Sequence, residues 1–246
     1  MAKLSAKNAV VLIKGYNFSS YSSAFNVEQG TNPIDVTGFG DGCKNFIPGP
    51  LTATVTADMY WDSTAGSVNA ALYAPVTTNG HVTIIPEGYT LGTSSISLPF
   101  TQGNYNPKGA VNDALTIGTI QFVSYGANEG VEWGRALAHA TITNTATGTG
   151  YQVNSDAVTS RCAATLHIWS SCAADTYVVK VQHCATVDGS YSDLITFSAN
   201  GSAITSERQT AASGTINKFV RVLATRTGSA GNSFGYSVHY WQATIG

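Results

Sequence analysis

Short stretches of alternating polar and apolar residues recur along the chain, and they constrain its fold more than any other feature. They are rich in Val, Ile, Thr and aromatic residues, and clusters of Gly, Asn, Pro and Ser separate them. Because the side chains of a β-strand point alternately to opposite faces, this period of two predicts half-buried strands. Helical periodicity is nearly absent. The sequence therefore predicts an all-β fold of the sandwich or barrel type.

Twelve segments carry this pattern most clearly, and the best of them is residues 51–60. There Leu51, Ala53, Val55, Ala57 and Met59 share one face, so that face is predicted to be buried. The predicted strands are 9–13, 23–28, 35–38, 51–60, 81–86, 117–125, 131–139, 165–169, 176–184, 194–198, 219–225 and 234–242. One short helix is predicted over 67–73, with Asp62 and Ser63 as its cap and Pro75 as its end.

A Thr- and Gly-rich stretch at residues 141–150 divides the predicted strands into two groups. Such tracts have little apolar surface to bury, so we expect a polar linker there. The predicted organisation is a first β domain at 1–140 and a C-terminal β-sandwich domain at 151–246. In the strand 176–184 we expect Tyr177, Val179 and Val181 in the core, with His183 as a hydrogen-bonded histidine at the core edge. The region 90–112 is predicted to form a long loop that could reach a neighbouring subunit.

The composition favours a chain that buries much of its outside against identical copies. Hydrophobic residues make up 43% and charged residues 11% of the chain, against about 25% charged in an average soluble domain. The net charge of −2 provides no basic footprint for gripping phosphates. No apolar stretch approaches the length of a membrane span or a signal-peptide core, so we expect no membrane anchor and synthesis in a cytoplasm.

Catalytic and ligand-binding motifs give weak signals. The chain has no H-E-x-x-H motif and no Walker loop, so we expect no enzyme and no cofactor. A metal site from Cys162, His167, Cys172, His183 and Cys184 would match no finger spacing, and structural thiols are the preferred interpretation. The glycine-rich run 38–42 is interpreted as a turn rather than a phosphate loop.

Two other arrangements could carry chemistry. The carboxylate pairs Asp58 with Asp62 and Glu129 with Glu132 could act in a glycosidase or bind calcium, although exposed surface carboxylates are the simpler interpretation. Four tryptophans could stack sugars or could fill strand cores and interfaces instead. These are Trp61, Trp133, Trp169 and Trp241.

The first part of the chain, residues 8–74, resembles the opening of siphophage tail-tube proteins. The segments that carry the resemblance are 10–13, Phe18-Ser19-Ser20-Tyr21, Asp35-Val36-Thr37-Gly38-Phe39-Gly40, Pro48-Gly49, the strand 51–60 and Tyr60-Trp61-Asp62 at the turn into a helix. The later segments 177–184, 191–197, 207–208 and 217–222 are similar to a C-terminal β module of predicted tail proteins of this group.

The resemblance implies a major tail-tube subunit of a long-tailed phage, located in the virion. Such subunits join into homo-oligomeric rings, expected to be hexameric, that stack into a tube and contact other tail proteins. Genomic DNA would pass through the tube without specific binding. The assembly residues expected on this basis are Leu51, Ala53, Val55, Ala57, Met59, Tyr60 and Trp61. A capsid decoration protein and a carbohydrate- or receptor-binding β-sandwich protein are the alternatives.

Overall fold

The protein is nearly all strand in the computed structural model, which describes residues 6–40, 42–64, 67–73, 79–109, 111–125, 130–228 and 231–243, with only the backbone at 212 and 213. Within these ranges there is one α-helix, α1 (Val68–Leu72), and a 3-10 helix at Ala6–Asn8. The strands are β1 (Val10–Ile13), β2 (Tyr16–Asn17), β3 (Ser22–Thr31), β4 (Ile34–Asp35), β5 (Phe46–Ile47), β6 (Leu51–Tyr60), β7 (Asn79–Ile85), β8 (Ser94–Gln102), β9 (Pro107–Lys108), β10 (Thr116–Ser124), β11 (Glu132–Ile142), β12 (Ala146–Thr147), β13 (Tyr151–Gln152), β14 (Val158–Ser170), β15 (Thr176–Cys184), β16 (Ser192–Thr196), β17 (Thr205–Ile216), β18 (Phe219–Thr227) and β19 (Phe234–Gln242). The predicted all-β class is confirmed.

Most of the strands belong to one large sheet. It has 12 strands, and its hydrogen-bonded path runs β17-β14-β19-β11-β8-β10-β6-β3, with β1, β2, β7 and β9 paired beside that path. A second sheet of 5 strands has the order β12-β18-β15-β16, with β13 also paired to β18. The small strands β4 and β5 pair only with each other among the described residues.

Strand β6 shows how the alternating pattern becomes structure. Ala53, Val55, Ala57 and Met59 are buried, whereas the threonines between them are partly exposed. The predicted buried face is therefore confirmed except at its first position, because Leu51 is 48% exposed. Burial of one apolar face stabilises the strand against its neighbours β3 and β10.

Two hydrophobic cores lie at the two ends of the large sheet. The first is built by β1, β6, β7, β8 and β10 and is closed by Phe18, Val68 and Leu72. The second lies between β11, β14 and β19 of the large sheet and β15, β16 and β18 of the small one. The second half of the chain is thus a two-layer sandwich. Strand β11 continues the large sheet from one half to the other, and the division into two domains stays a prediction.

The expectation of a long loop at 90–112 is wrong, because this region contains the central strand β8. Ile96, Leu98 and Phe100 are buried, and β8 pairs with β7, β11 and β10. Pro99, which lacks a backbone N–H, argues against a central strand in a sequence. In the structure Pro99 lies where β8 changes partner, after its pairing with β11 (94–97) and before that with β10 (100–102).

The short helix is confirmed, but its predicted cap is wrong. Ser67 occupies the N-cap position without a side-chain capping bond. The Asp62 side chain accepts a hydrogen bond from the Thr64 backbone N–H at 2.7 Å instead. The Asp62 carbonyl accepts from Ser67 Oγ at 2.6 Å and from the Asn69 N–H at 3.1 Å, so Asp62 holds the helix start through its backbone. Pro75 lies outside the described residues.

Strand β15 follows the predicted alternation only as far as Val181. Tyr177, Val179 and Val181 are buried as expected, but Gln182 and Cys184 are buried as well. A register irregularity between Val181 and Gln182 in the pairing with β16 shifts the alternation by one residue. His183 is half-buried, and its Nδ1 accepts a hydrogen bond from the Asn217 N–H at 3.1 Å, which confirms it as a hydrogen-bonded edge histidine.

Candidate functional site

A long hairpin of β3 and β6 ends the large sheet and is the first candidate surface. Strand β3 pairs with β6 from Ser22 to Thr31 and is the terminal strand of the sheet path. Its side chains are all partly or fully exposed. A strand that is unpaired along one edge presents N–H and C=O groups that can template pairing with another chain.

The tip of this hairpin, residues 32–50, carries an unusual amount of bare apolar surface. Its large apolar side chains, together with Leu51 at the start of β6, are each at least 47% exposed. They are Ile34, Val36, Phe39, Phe46, Ile47 and Leu51. Concentrated apolar exposure of this kind marks interaction surfaces in soluble proteins.

The tip is ordered by its own hydrogen bonds rather than by a core. Ile34 pairs with Ile47 and Asp35 with Phe46. The Asp35 carboxylate accepts from the Thr37 N–H at 2.9 Å, and Thr37 Oγ1 accepts from the Asn45 N–H at 3.0 Å. The bonds from Thr37 hold the pKa of Asp35 below its usual value. The apolar side chains are therefore presented on a defined backbone.

Part of the glycine-rich run lies at the end of the tip. Phe39 and Gly40 form a turn, as predicted for this run. Asp41 lies outside the described residues. Nothing lies within 4 Å of a Cβ placed on Gly40 or Gly42, so the loop is open to solvent there.

The predicted assembly residues fall into two groups. Ala53, Val55, Ala57 and Met59 are buried in the first core, where they hold the hairpin to the sheet. Leu51 and Tyr60 are about half exposed at the two ends of β6 and are open to contact, and Trp61 is partly buried against the first core. Their role in assembly stays a prediction. The sequence did not predict the exposed apolar surface of the tip, because the apolar residues there alternate too irregularly to show which of them are exposed.

The residues considered for metal binding are dispersed among structural contacts. Cys162, Cys172 and Cys184 are buried free thiols, and burial raises the pKa of Cys162. His167 Nδ1 accepts from the Gly15 N–H at 3.3 Å, and its Nε2 lies 2.9 Å from Thr83 Oγ1. Among the residues that the structure describes, no group of three or more His, Cys, Asp or Glu could hold a metal ion.

The two carboxylate pairs also serve local contacts. Asp58 accepts from the Thr119 N–H at 2.6 Å, and Asp62 supports the start of α1 as described above. Glu132 is buried and forms an ion pair with Arg208 at 2.6 Å. Glu129 lies outside the described residues.

The tryptophans occupy different environments. Trp169 packs against His139, with 4.5 Å between ring centroids. Trp61 and Trp241 are partly buried, whereas Trp133 is 60% exposed on β11. Only Trp133 among these four is open enough to serve as a platform for a ligand.

A buried polar seam between the two halves of the molecule was not predicted. Its members are Thr83, Ser95, Ser97, Thr165, His167 and His239, all buried. Ser95 Oγ lies 2.6 Å from His239 Nδ1, and Ser97 Oγ bonds to Thr165 Oγ1 at 3.2 Å. Burial, together with the nearby Arg208 cation, lowers the pKa of His239 to about 3. His239 is therefore neutral at pH 7.

The signal for this seam was present but ambiguous. Strands β7, β8, β14 and β19 each carry two polar residues at a spacing of two, such as Ser95 with Ser97. A period-two polar face normally marks the solvent side of a strand. Only the curled sheet brings these faces together in the interior.

Comparisons with known proteins give structural likenesses only. No known family profile matches the chain, and no curated protein matches it. One similar chain comes from the tail of an empty gene transfer agent particle, refined with C6 symmetry. It is 14% identical to this chain, with a TM-score of 0.41, and the match covers 54% of this chain and 98% of that one. A chain of a native gene transfer agent virion is 14% identical, with a TM-score of 0.38, covering 50% and 94%.

A third likeness extends over nearly the whole chain. The Dit protein of phage SPP1, described as a hub adsorption apparatus protein, is 11% identical, with a TM-score of 0.32, covering 96% of this chain and 99% of that one. All three TM-scores lie below 0.5, so these likenesses do not decide what this chain does. In the described part of the chain, no helix is long and apolar enough to span a membrane.

Proposed function

We propose that the chain is a structural subunit of a bacteriophage tail, and specifically the major tail-tube subunit, which joins identical copies into stacked rings. The observation that carries the proposal is the β3–β6 hairpin, which combines an open strand edge with an ordered, apolar tip. The resemblance of residues 8–74 to tail-tube proteins supplies the kind of assembly.

The open edge of β3 favours contacts between copies. A 10-residue strand at the end of the sheet is a liability in a free monomer because its edge can pair with any extended chain. Pairing with a neighbouring copy satisfies these backbone groups, and a head-to-tail contact repeated around an axis closes into a ring. Closure leaves no copy in the ring with a free β3 edge.

The apolar tip favours contacts beyond the hairpin's own sheet. Burial of its apolar side chains stabilises the protein only when a second surface covers them, because the protein's own cores leave them exposed. The tip sequence contains three charged residues, Asp35, Asp41 and Lys44. Little charge therefore has to be desolvated when the tip is covered, which suits permanent contacts between rings.

The low charge of the chain suits a conduit for DNA. A tube lined by strong positive charge would bind phosphates and retard the genome. The net charge of −2 and the absence of a basic run in the sequence are compatible with hexameric rings through which DNA passes without specific binding. Other tail proteins would contact the ends of such a tube.

The test compares assembly of the wild-type protein with a tip variant, Phe39→Asp/Ile47→Asp. Wild-type protein is expected to form rings or hollow tubes of uniform diameter with rising concentration, seen by negative-stain electron microscopy and light scattering. The tip variant is expected to stay monomeric with an unchanged melting temperature, because both side chains lie outside the cores. Val187→Asp, an exposed apolar position in the second half of the chain, is the matched control and should assemble normally.

Two results would contradict the proposal. The first is a wild-type protein that stays monomeric at every concentration, and the second is a tip variant that assembles as well as the wild type. Compact trimers without tubes would instead favour a capsid decoration protein.

A further inference from the structure

A polar cleft opens where the two sheets of the second half approach each other. Strands β8, β11 and β19 of the large sheet form one side, and β13 with the following residues 153 and 154 forms the other. The cleft has a volume of about 440 Å³, within the ~300–1,000 Å³ that small-ligand sites occupy. None of its lining residues belongs to the hairpin tip, so binding at the cleft can be tested separately from the proposed assembly.

An exposed aromatic platform lies at this cleft. Trp133 is 60% exposed, although the residue before it, Glu132, is buried and ion-paired with Arg208 at 2.6 Å. The ion pair fixes the strand at this point and directs Trp133 to the opposite face. The exposed ring offers a flat apolar face to a ligand in the cleft.

A second aromatic ring is held in place at the opposite wall. Tyr151 packs against the second core and lies over Gly92, where a Cβ would come within 1.9 Å of its ring. Gly92 has a φ of +82° and donates its N–H to the Ala136 carbonyl at 2.9 Å. Only glycine fits under the ring, so the position of Tyr151 is set by the backbone.

Amide and hydroxyl groups provide hydrogen-bonding capacity in the cleft. Gln242 Nε2 donates to Asn154 Oδ1 at 3.1 Å, and Tyr240 OH donates to Gln242 Oε1 at 3.1 Å. Asn154 Nδ2 also lies 3.5 Å from Gln242 Oε1 and 3.5 Å from the Asn217 carbonyl. An acceptor site on Asn154 Oδ1 and an N–H of Gln242 are therefore left for a ligand. Neighbouring amides of this kind match the paired hydroxyl groups of a sugar ring.

One cation gives the cleft its charge. Arg135 Nη1 donates to Ser94 Oγ at 3.0 Å and more weakly to the Gly92 carbonyl at 3.4 Å, both of which are neutral acceptors. No Asp or Glu lines the cleft, and within the described ranges Arg135 forms no ion pair. A guanidinium without an acidic partner favours a ligand that brings its own carboxylate.

We propose that this cleft binds an acidic saccharide, with Trp133 stacking on the sugar ring, Asn154 and Gln242 bonding its hydroxyl groups, and Arg135 pairing with its carboxylate. The aromatic face excludes water from the apolar face of the ring, and the polar groups select its orientation. A peptide is disfavoured because the lining offers no deep apolar pocket for a side chain. The site would give the assembled particle a means of holding a surface polysaccharide.

The test is a microbial glycan array carrying neutral and uronic-acid saccharides, probed with the full-length protein in monomeric and assembled form. Wild-type protein is expected to bind a subset of the acidic saccharides. Trp133→Ala should weaken that binding by about tenfold, because the stacking contact is lost. Arg135→Gln should remove the preference for acidic over neutral saccharides of the same linkage. Tyr125→Ala, an exposed aromatic residue outside the cleft, is the matched control and should bind as the wild type does.

Three outcomes would overturn the inference. They are binding to no saccharide on the array, binding that Trp133→Ala leaves unchanged, and complete competition by single-stranded oligo(dT), which would indicate a nucleic-acid site. Unchanged melting temperatures of both variants would show that a loss of binding is local, since both side chains lie on the exposed face of β11.

Discussion

Single residues in the polar seam determine how the molecule responds to acid. His239 is buried beside Ser95, and Arg208 contributes a nearby positive charge. His167 is buried in the same seam, and burial and the neighbouring histidines hold its pKa well below the usual value. A buried imidazole that accepts a proton would be an unpaired charge in the interior. The folded protein therefore keeps these rings neutral.

The free energy of unfolding should fall as the pH drops below about 6.5. An unfolded histidine takes up a proton near pH 6.5, whereas folded His239 has a pKa of about 3. The unfolded state thus binds more protons between these values, and stability present above pH 6.5 is lost towards pH 3. For His239 alone the loss should be about 3 kcal/mol between pH 7 and pH 4. Urea unfolding at each pH measures it.

The variant His239→Gln isolates this contribution from that of the carboxylates, which also titrate in acid. Its stability should depend less steeply on pH than that of the wild type, because glutamine takes up no proton. Ser95→Ala is the control, since it removes the hydrogen bond and leaves the imidazole. Identical pH dependence in His239→Gln and wild type would show that the pKa of His239 is the same in the folded and unfolded states.

Val55 illustrates a residue whose environment the sequence predicted correctly. It lies at the centre of β6, is 1% exposed and belongs to the first core. Val55→Asp should destabilise the fold by more than about 4 kcal/mol, because it buries a charge without a partner. Thr56→Asp, on the opposite face of the same strand, should cost less than about 1 kcal/mol. Equal losses in urea unfolding would mean that the faces of β6 are assigned wrongly.

At the scale of strands, the sequence predicted those elements whose two faces differ in polarity. The bounds of β6, β15 and β19 were predicted as the structure has them. Strand β8 was missed because its Ser95 and Ser97 face the buried seam, and because Pro99 breaks the pattern. The candidate surfaces were harder still, since exposure at the tip and at Trp133 depends on which faces the fold leaves uncovered.

Strand β11 depends on a glycine at its junction with β19. A Cβ on Gly134 would lie 2.1 Å from the Tyr240 carbonyl oxygen and 2.7 Å from the His239 ring. Gly134→Ala should therefore destabilise the protein by roughly 2 kcal/mol or more, because backbone of the paired strand must move. A Cβ on Gly103 meets nothing closer than 3.5 Å, so Gly103→Ala is the control. Equal melting temperatures of the two variants would contradict the close approach of Gly134 to the Tyr240 carbonyl.

At the scale of the molecule, the contact between the two halves is made by the polar groups of the seam rather than by a large apolar core. Apart from the four buried residues of a small cluster around Val10 and Ala136, the apolar cores stay within their own halves. Exposure of hydroxyl and imidazole groups to water costs little, because water replaces their hydrogen bonds. We therefore expect the second half to fold without the first, provided that the truncated fragment keeps the whole second core.

Two fragments that begin at different residues test the predicted domain boundary. Leu137 and Ala138 of β11 belong to the second core, and β11 covers the edge of β19 from Arg135 to Ile142. A fragment of residues 130–246 should unfold cooperatively in urea. The fragment 151–246 lacks β11 and should be less stable by at least about 3 kcal/mol, because it loses buried apolar surface and exposes a strand edge. Equal stability of the two fragments would instead support a boundary at 141–150, with β11 belonging to the first domain.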